Sequence, residues 1–574
     1  MDSEVRASSQ EQKYIPDTLN LEERAAIAIN SLTGCVDVKN GYIPYMAVNL
    51  ISKPAVMVHS AWDYGSSIGR LVDALILARH MSGETLGEDI EKHLQANLLS
   101  LFKDNGLSYR QPSPLNDPNA NMHDQRSVLL GLTTWFMATG DSKIKAATDK
   151  LCAALKRIAL KERDFWCFPS AEYTEQGWPS RDAIFVGTIV DPAHTSARMI
   201  NPLIKYYQVT GNTDAFELAE NFTAHTVYHS GVFNADGSFN KGTEFRNGHF
   251  HSRTVSVAGI ARFAQFTDNA FYMHWVKNVY DWILSQGTSF GWFPGALVKN
   301  KAYHHETCTL TDIIEIGIIL AQSGYPQCWE CVERFVRNHL VETQLLSADW
   351  VVEADNHQKD TWKETYYQVG RRSIGSFAGW AAPNDFVCEI EHSYDIMTCC
   401  RAHGTRGLFL AWDNIVTEKN GRVSVNLLLN RGTRWLDVNS YLPHEGRVDL
   451  NINQDIRQLL VRIPSWVAFD AVKVSRKHND NDGMRKPVES WIGPFAKLGS
   501  SRKGEEITIA FPLRRCETTE KAWDQQFVAE WQGDDVIFIT PPGKYYPLYT
   551  NRKIYKKAPK KIGDYHRIQD EFRW

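Results

Sequence analysis

The sequence predicts a mainly α plus β fold, in which an (α/α)6-type helical toroid is followed by a β-sandwich domain. Three observations support this: a recurring pair of helices over residues 50–400, short β-rich segments after about residue 418, and a length of 574 residues, which allows two or more domains. We expect an N-terminal segment at 1–45, the toroid with an enzyme cavity at 46–415, and one or more β-sandwich domains at 416–574.

The predicted toroid depends on a repeat of two helices. In each copy an apolar, aromatic segment ends at a turn, and the next segment carries apolar residues at three- and four-residue spacing. A Gly after a helix favours the left-handed C-cap conformation, and Asp or Asn then begins the next helix. The turn residues are Gly83, Gly140, Gly211, Asp268 and Gly324. Their spacing, roughly 57 residues with one longer interval, is typical of a helical array.

Such an array can close into a ring or remain an open solenoid. Five copies are visible, and the segment CCRAHGTRGLFLAWDNIV supplies a further helix. The inner helices would be the apolar, aromatic ones, and the loops at one end would form a central cleft. Loops rich in Trp and His favour the closed ring around an enzyme cavity.

Short β-rich segments replace the helical pattern in the last part of the chain. Examples are GRVSVNLLLN, RVDLNINQD and EEITIAFPLRR, which are separated by Gly, Pro and Asn. Alternation of apolar and polar residues is typical of strands with one buried face. Several such strands in succession indicate a β-sandwich.

Composition and charge argue against several classes of partner. The formal net charge of −4 gives no basis for binding nucleic acid or an anionic membrane surface. The chain contains no run of about eighteen apolar residues, so no membrane span is expected. The N-terminus shows no apolar signal region, and ten cysteines are too few for a disulfide scaffold, so we expect a cytoplasmic protein. The expected partner is a sugar or another small molecule, and the sequence leaves homo-oligomerisation open.

Two cysteine-containing segments are candidates for a site, AYHHETC at 302–308 and MTCC at 397–400. The neighbouring Cys399 and Cys400 are poor disulfide partners because the ring would be strained. Spaced thiols near a carboxylate can bind Zn²⁺, which favours thiolate sulfur and carboxylate oxygen in tetrahedral geometry. The residues alone leave two interpretations open, a metal site or reduced cysteines in the core. For CWEC at 328–331 we expect core or surface thiols.

Longer segments around these cysteines resemble a known family. NKAYHHETCTLTDIIEIGIILA, then TCCRAHGTRGLFLAWDNIV and GRVSVNLLLN, then LLVRIPSWV occur in the order seen in glycoside hydrolase family 127, the β-L-arabinofuranosidase-like proteins. The resemblance covers about residues 50–520. It implies a toroid followed by β-domains, and an enzyme of carbohydrate metabolism that contains zinc.

The resemblance also implies roles for individual residues. Glu306 and Cys308 match the family's first two zinc ligands, and Cys400 matches the last. Cys399 matches the cysteine that is both a zinc ligand and the nucleophile. Zinc would keep this sulfur deprotonated, and its attack on the anomeric carbon would give a thioglycosyl intermediate that water resolves with retention.

One residue expected from the family is missing. The family hydrolases carry a Glu general acid in a Gly-rich loop shortly before the ETC motif. Here no carboxylate occurs between Asp281 and Glu306, and Trp292 and Phe293 occupy the expected place. Without a proton donor, departure of an ordinary leaving group is slower by about 10²–10⁴-fold. Other candidate donors are His304, His305, Asp349, Glu353 and Asp355.

Histidines that precede the inner helices are candidate site residues. His249 and His251, in NGHFHSR, resemble a substrate-contacting histidine of the family and are, with His305, the candidate acid–base groups. His194 and His123 occupy the same place in earlier repeats and are candidates for substrate binding. For each histidine the alternative is a structural role as a helix cap or loop residue.

Aromatic residues are candidates for stacking on a ring of the substrate. Trp62, Trp178 and Trp292 lie near the expected cleft. Because the chain contains 18 Trp, core packing is the alternative for each of them.

Three functions remain open from the sequence. The first is a retaining β-L-arabinofuranosidase with a zinc-bound cysteine nucleophile. The second is a non-hydrolytic lyase, isomerase or cyclase of small-molecule metabolism on the same scaffold, which the missing acid and the aromatic FGWF loop favour. The third is an inert sugar-binding relative, against which the intact set of four ligands argues.

Overall fold

The computed structural model describes residues 13–115, 118–179, 191–242, 248–298, 303–389, 394–477, 488–550, 552–568 and 572. These residues form two compact units. The helical unit contains the described parts of Leu21–Asp413 and Cys516–Arg552, together with Phe572. The β unit contains the described parts of Met1–Asn20, Asn414–Arg515 and Lys553–Gln569.

The helical unit is organised as pairs of α-helices. Within the described residues the helices are α1 (Leu21–Gly34), α2 (Ile68–Ser82), α3 (Glu88–Ser100), α4 (Met122–Thr139), α5 (Ser142–Ile158), α6 (Ile200–Thr210), α7 (Thr213–Ala224), α8 (Phe250–Phe266), α9 (Ala270–Leu284), α10 (Thr307–Gln322), α11 (Cys328–Phe335), α12 (Val369–Ser373) and α13 (Thr398–Asp413). None of these helices combines the length and the apolar character that crossing a membrane requires.

The helices α2, α4, α6, α8, α10 and α13 form a closed inner ring. Each contacts the next in this order, and α13 returns to contact α2. The outer helices α3, α5, α7, α9 and α11 each pack against the inner helix that precedes them, and α1 packs against α2 and α13. The prediction of a helical toroid is therefore confirmed, and the array is a ring rather than an open solenoid.

The predicted turn residues end the inner helices. Gly83, Gly140 and Gly211 follow α2, α4 and α6 with φ angles of 72°, 65° and 72°, in the left-handed region that favours glycine. The side chains of Asp141 and Asn212 then accept hydrogen bonds from backbone amides in the first turns of α5 and α7. Each of these inner helices consequently leads directly into its outer partner.

Buried ion pairs link inner helices to one another. A carboxylate oxygen of Glu315 on α10 lies 3.0 Å from Nζ of Lys205 on α6 and 2.6 Å from Arg262 on α8. Asp73 on α2 lies 2.6 Å from Arg406 on α13. Removing one partner of a buried pair is strongly destabilising, so these contacts favour a single arrangement of the ring.

Short strands connect the helices of this unit. In chain order, the strands before α13 are β1 (Tyr14–Pro16, in the β unit), β2 (Val36–Asp37), β3 (Ile43–Pro44), β4 (Ala47–Asn49), β5 (Val56–Val58), β6 (Ala120–Asn121), β7 (Leu160–Lys161), β8 (Trp166–Cys167), β9 (Glu172–Tyr173), β10 (Glu364–Thr365) and β11 (Ile396–Met397). One sheet has the strand order β10-β5-β4-β11. Because β11 leads directly into α13, this sheet positions the start of that helix.

The remaining strands are β12 (Val416–Lys419), β13 (Arg422–Val425), β14 (Arg431–Gly432), β15 (Leu436–Ser440), β16 (Arg447–Ile452), β17 (Ile456–Arg462), β18 (Lys473–Lys477), β19 (Ser490–Ile492), β20 (Phe495–Ser501), β21 (Glu506–Ala510), β22 (Arg515–Ala522), β23 (Gln525–Gln532), β24 (Asp535–Thr540) and β25 (Lys560–Ile562). Two five-stranded sheets, with the orders β12-β13-β17-β20-β19 and β14-β15-β16-β21-β18, form the predicted β-sandwich. Val448 and Leu450 on β16, like Ile507 and Ile509 on β21, are buried.

The compact units divide the chain differently from the predicted domains at two places. Helix α1, within the predicted segment 1–45, belongs to the helical unit. Strands β23 and β24, within the predicted β domain, also belong to the helical unit. The reason is burial: Trp531 packs in one core with Phe290, and Asp535 lies 3.4 Å from the buried Arg337.

Candidate metal centre

Three cysteine thiols meet where two neighbouring inner helices begin. Cys308 lies in the first turn of α10, and Cys399 and Cys400 lie in the first turn of α13. The Sγ atoms of Cys308 and Cys400 are 3.5 Å apart, and those of Cys399 and Cys400 are 4.0 Å apart. Because α10 and α13 pack side by side, the ring brings together thiols from distant parts of the chain.

The spacing of the sulfur atoms fits a tetrahedral metal ion. At a metal–sulfur distance of about 2.3 Å, two thiolates of a tetrahedral zinc site are about 3.8 Å apart. The observed separations of 3.5 Å and 4.0 Å lie on either side of this value. Buried thiolate sulfur is also a donor that this ion prefers. The thiol cluster, defined as Cys308, Cys399 and Cys400, can therefore hold a metal ion.

Accessibility and acidity distinguish the three thiols. The exposed fraction is 0% for Cys308 and Cys400 but 9% for Cys399. Burial raises the pKa of Cys308 and of Cys400. Hydrogen bonds from these two thiols lower the pKa of Cys399. Cys399 is therefore the thiol that is both most accessible and most readily deprotonated.

Glu306 lies immediately before α10 and is held in its ionised form. Its Oε1 is 3.0 Å from Nε2 of His249. Burial by itself would raise the pKa of Glu306, but the charge and hydrogen bond of His249 lower it strongly. Among the described residues, this carboxylate is not part of the close group of sulfur atoms. A rotation of the Glu306 side chain is needed before it could complete a set of four ligands.

His251 is oriented by a buried carboxylate. Its Nδ1 lies 2.8 Å from Oδ2 of Asp312, which also accepts a hydrogen bond from Thr254 Oγ1. Its Nε2 is buried, with no hydrogen-bond partner among the described residues. Burial, with nearby arginines, lowers the pKa of His251 well below its ordinary value, so the ring is neutral at neutral pH. The ligand atoms of His251 and Cys308 lie within 4.8 Å of each other.

His403 shares this neighbourhood but is a poor metal ligand. It lies one helical turn after Cys399, and its Nδ1 is 3.1 Å from the Cys399 carbonyl oxygen. Its Nε2 is 3.3 Å from both terminal nitrogens of Arg126. Both ring nitrogens are thus engaged, and a guanidinium at Nε2 would repel a cation. The thiol cluster is the better candidate for metal binding.

A row of rings from successive repeats lines the site. The ring centroids are 4.8 Å apart for Trp62 and His123, 6.1 Å for His123 and His194, 5.5 Å for His194 and His249, and 6.3 Å for His249 and His251. We call these five residues the imidazole row. The structure therefore brings together five side chains that the sequence placed separately near a cleft.

His249 has a structural role in addition to its contact with the site. Its Nδ1 accepts a hydrogen bond from the backbone amide of Ser252, as the N-cap of α8. Ser252 Oγ lies 2.7 Å from Nδ1 of His249 and 2.6 Å from Nδ1 of His194. His249 is therefore a helix cap, which was one of the two roles that the sequence left open. Its Nε2 also contacts Glu306.

Two buried arginines contact histidines of the site and have no carboxylate within ion-pair distance among the described residues. Arg70 lies 3.3 Å from Nε2 of His123, and Arg126 contacts His403 as described. They are 3% and 4% exposed. Burial, together with arginine charges, lowers the pKa of His123 and of His403. Arg70 also adds to the lowering of the pKa of Cys399 by the other two thiols.

Two predicted site residues, His305 and Trp292, lie in the interior of the helical unit. His305 Nδ1 is 2.9 Å from the carbonyl oxygen of Phe293, and its ring is 4.7 Å from that of His339. Burial lowers the pKa of His305 to about 4. Trp292 is fully buried in the hydrophobic core and donates its indole N–H to the carbonyl of Ala381. Backbone groups thus bond to Nδ1 of His305 and to the indole of Trp292, whereas His305 Nε2 has no hydrogen-bond partner among the described residues.

The more distant carboxylates suggested as proton donors are engaged elsewhere. Glu353 accepts hydrogen bonds from the backbone amides of Gly370 and Arg371 at the start of α12. Asp349 contacts a neighbouring serine hydroxyl, and the exposed Asp355 lies 3.8 Å from Arg371. None of these contacts involves the thiol cluster.

His304 is the suggested donor that is connected to the thiol cluster. Its ring lies 4.8 Å from that of Trp380, and Trp380 packs against the cluster. Trp178, in contrast, donates its indole N–H to the carbonyl of Ile158 and packs on Tyr173, so it has a structural role.

Sequence reasoning missed several residues beside the thiols. They are Arg70, Arg126, Asp312 and His403. For two of them a signal was present. Asp312 follows Cys308 by four residues and His403 follows Cys399 by four, a spacing that places each pair on one helix face.

Comparison with known proteins gives a likeness of structure at low sequence identity. No family model and no curated protein matches the chain. Ara127N, a GH127 β-L-arabinofuranosidase from Geobacillus stearothermophilus T6, superposes with a TM-score of 0.58 at 13% identity, over 91% of this chain and 80% of that chain. A second GH127 β-arabinofuranosidase gives 0.58 at 15% identity, over 90% and 80%.

A third solved structure, described as a glycoside hydrolase, gives a TM-score of 0.53 at 15% identity, over 88% of this chain and 84% of that chain. Structural similarity at 13–15% sequence identity establishes a shared fold. They agree with the resemblance that the ETC and TCC segments indicated. The chain has the fold of glycoside hydrolase family 127 enzymes.

Proposed function

We propose that the protein is a glycosidase of the retaining β-L-arabinofuranosidase type, with Cys399 as the nucleophile in a zinc–thiolate centre. The observation that carries the proposal is the thiol cluster at the start of two inner helices, in which Cys399 is the accessible thiol with the lowered pKa. The family 127 fold adds support.

Cys308, Cys399, Cys400 and, after rotation, Glu306 would hold the zinc ion. When bound, zinc would supply positive charge that keeps the thiols deprotonated. Cys400 Sγ lies 3.5 Å from Cys308 Sγ and 4.0 Å from Cys399 Sγ, and with the nearby carboxylate the three sulfurs form a suitable donor set. His249, 3.0 Å from this carboxylate, would keep it ionised.

The reaction would proceed in two displacements. The Cys399 sulfur forms a bond to the anomeric carbon while the bond from that carbon to the leaving oxygen breaks. Water then displaces the sulfur from the opposite face, so that the configuration at the anomeric carbon is retained. The imidazole row would line the sugar, with His123, His194 and Trp62 as binding residues.

Protonation of the leaving group is the step of this mechanism for which the chain offers no dedicated carboxylic acid. His251 is neutral at neutral pH because burial lowers its pKa. His249 and His304 are the other imidazoles connected to the cluster. Since no carboxylic acid occurs between Asp281 and Glu306, we expect activity mainly on substrates whose leaving groups need little protonation.

The test is turnover of a nitrophenyl β-L-arabinofuranoside by the zinc-loaded protein. Cys399→Ala should abolish turnover while circular dichroism and thermal unfolding stay unchanged. Cys516→Ala, at a partly buried thiol of β22, is the matched control and should retain activity. Full activity of Cys399→Ala would exclude this residue as the nucleophile.

A second candidate function is a non-hydrolytic lyase, isomerase or cyclase acting on a small molecule. The specific observation in its favour is the missing carboxylate before the ETC motif. Such an enzyme could use the thiol cluster and the imidazole row without having to expel a poor leaving group. Bound zinc without turnover of any glycoside would favour this function.

A further inference from the structure

A single buried hydroxyl joins two histidines of the imidazole row. Ser252 is the third residue of α8, and its side chain is fully buried. Its Oγ lies 2.7 Å from Nδ1 of His249 and 2.6 Å from Nδ1 of His194. A serine hydroxyl has one proton, so the direction of that proton decides which ring nitrogen accepts a hydrogen bond and which donates one.

The backbone fixes the protonation of His249. Its Nδ1 accepts a hydrogen bond from the Ser252 amide, as the N-cap of α8. A ring nitrogen that accepts carries no proton, so the neutral ring has its proton on Nε2. That nitrogen lies 3.0 Å from Oε1 of Glu306, which accepts the hydrogen bond. The helix cap thus selects one tautomer of His249.

The tautomer of His194 follows from that of His249. Because Nδ1 of His249 carries no proton, the Ser252 hydroxyl must donate its own proton in the contact at 2.7 Å. In the contact at 2.6 Å the Ser252 oxygen can then only accept, so Nδ1 of His194 is the donor. Nε2 of the neutral His194 ring is therefore unprotonated. One hydroxyl holds the two rings in opposite tautomers.

His123, the next ring of the row, has the same tautomer as His194 for a different reason. Its Nε2 lies 3.3 Å from the guanidinium of Arg70, which can only donate. Burial lowers the pKa of His123 well below its ordinary value, so the ring is neutral and its proton is on Nδ1, 3.1 Å from Ser66 Oγ. Of these three rings only His249 has its proton on Nε2, and that proton is directed to Glu306.

We propose that Ser252 is a positioning residue of the site, which holds Nε2 of His194 unprotonated so that this nitrogen accepts a hydrogen bond from a hydroxyl of the substrate. His194 is partly exposed whereas Ser252 is not, so Ser252 acts through His194. The proposal rests on the proposed function and narrows its substrate class to glycosides with a hydroxyl donor at this point. In this tautomer neutral His194 has no Nε2 proton to give, so it binds the sugar and is not the missing acid.

The tautomer of His194 can be measured in the full-length, zinc-loaded chain by nitrogen-15 NMR of labelled histidines, with His194→Gln to assign its signals. We expect the proton on Nδ1 in the wild type. In Ser252→Ala it should move toward Nε2, because Nδ1–H would otherwise be buried without its acceptor. Ser252→Thr keeps the hydroxyl and should keep the wild-type signals.

Ser256→Ala is the matched control. Ser256 lies one turn further along α8, is also fully buried, and donates its hydroxyl to the backbone carbonyl of Ser252 at 2.7 Å. Its loss removes a buried hydroxyl from the same helix without touching either ring. The signals of His194 should therefore stay as in the wild type. Both alanine variants leave the amide that caps α8 in place.

A binding experiment tests the contact with substrate. Calorimetry in the Cys399→Ala background, where no turnover interferes, compares a nitrophenyl β-L-arabinofuranoside with analogues that each lack one sugar hydroxyl. One analogue should bind about tenfold more weakly than the parent, because the acceptor on His194 loses its donor. Adding Ser252→Ala should remove this difference, since the acceptor is then already lost, whereas adding Ser256→Ala should preserve it.

The outcomes separate the role of Ser252 from the proposed function. Unchanged His194 signals in Ser252→Ala overturn the proposal, because another group would then set the tautomer. A difference between analogues that is equally large with Ser252→Ala also overturns it, because the hydroxyl would then be recognised elsewhere. If the tautomer depends on Ser252 but no arabinofuranoside is bound or turned over, the proposed function fails while the positioning role of Ser252 stands.

Discussion

The Sγ atoms of Cys308 and Cys400 lie 3.5 Å apart although 92 residues separate them in the chain. Helices α10 and α13 start at the same end of the ring, and each carries cysteine in its first turn. Buried cysteines that only fill a core need not place three sulfur atoms at tetrahedral spacing. This convergence is the basis of the first prediction.

We predict about one equivalent of zinc in the purified protein. Cys308→Ser and Cys400→Ser should each lower the zinc content, because each removes one sulfur donor from a set of four. Elemental analysis measures the content, and Cys328→Ser is the control at a buried thiol outside the cluster. Unchanged zinc in both cluster variants would refute the ligand assignment.

The contact between Glu306 and His249 leads to a second prediction. Because the charge and hydrogen bond of His249 keep the buried Glu306 ionised and able to bind a cation, His249→Ala should weaken zinc binding by about 10- to 100-fold. Competition with a chromophoric chelator measures this affinity. His274→Ala removes an exposed imidazole of α9 and should have no effect. Equal zinc affinity in the two variants would show that His249 serves only as a cap.

A third prediction concerns the leaving group. Nitrophenyl β-L-arabinofuranosides should be turned over, and disaccharides should react about 10²–10⁴-fold more slowly in kcat, because an alkoxide leaving group needs a proton that no nearby carboxylic acid supplies. Steady-state kinetics with aryl substrates of graded leaving-group pKa would show a steep dependence. Disaccharide cleavage as fast as that of the aryl substrate would reveal a general acid.

A fourth prediction tests the attachment of β24 to the helical unit. Asp535 lies 3.4 Å from Arg337, which is 1% exposed. Asp535→Ala should lower the free energy of unfolding by about 1–3 kcal/mol, because it removes one of two carboxylates that pair with this buried charge and leaves Glu333, 2.7 Å from Arg337. Denaturant unfolding measures the change, and Glu517→Ala, at an exposed position of β22, should change it little. Identical midpoints for the two variants would contradict this role of the ion pair.

The fifth prediction is a pH dependence of stability. Although burial alone would lower it, the carboxylates of Asp37 and Asp63 raise the pKa of His59 on folding from its ordinary value of 6.5 to about 9. The contribution of His59 to stability is fully present below pH 6.5 and is lost as the pH rises from there to about 9, because the unfolded state releases the proton first. The loss is at most about 3 kcal/mol. Unfolding measured across this range should show the loss in the wild type and less of it in His59→Gln.

The toroid could be predicted because its signals are local. Gly83, Gly140 and Gly211 mark helix ends through a backbone conformation that depends on a few neighbouring residues, and each stands at a predicted turn. The same holds for β16 and β21, whose alternating apolar residues show which side is buried. Patterns of this kind need no knowledge of distant contacts.

The sequence by itself determined the paired helices, the β-rich segment that follows and the cysteines that are candidates for a metal site. Tertiary structure alone decided that the ring closes from α13 to α2, that Glu306 contacts His249, and that backbone carbonyls bond to His305 Nδ1 and to the Trp292 indole. A cavity lined by His59 and Trp362 likewise combines segments some three hundred residues apart. The physical reason is that local propensity acts over one or two helical turns, whereas the direction of a side chain and its partners depend on how distant helices pack.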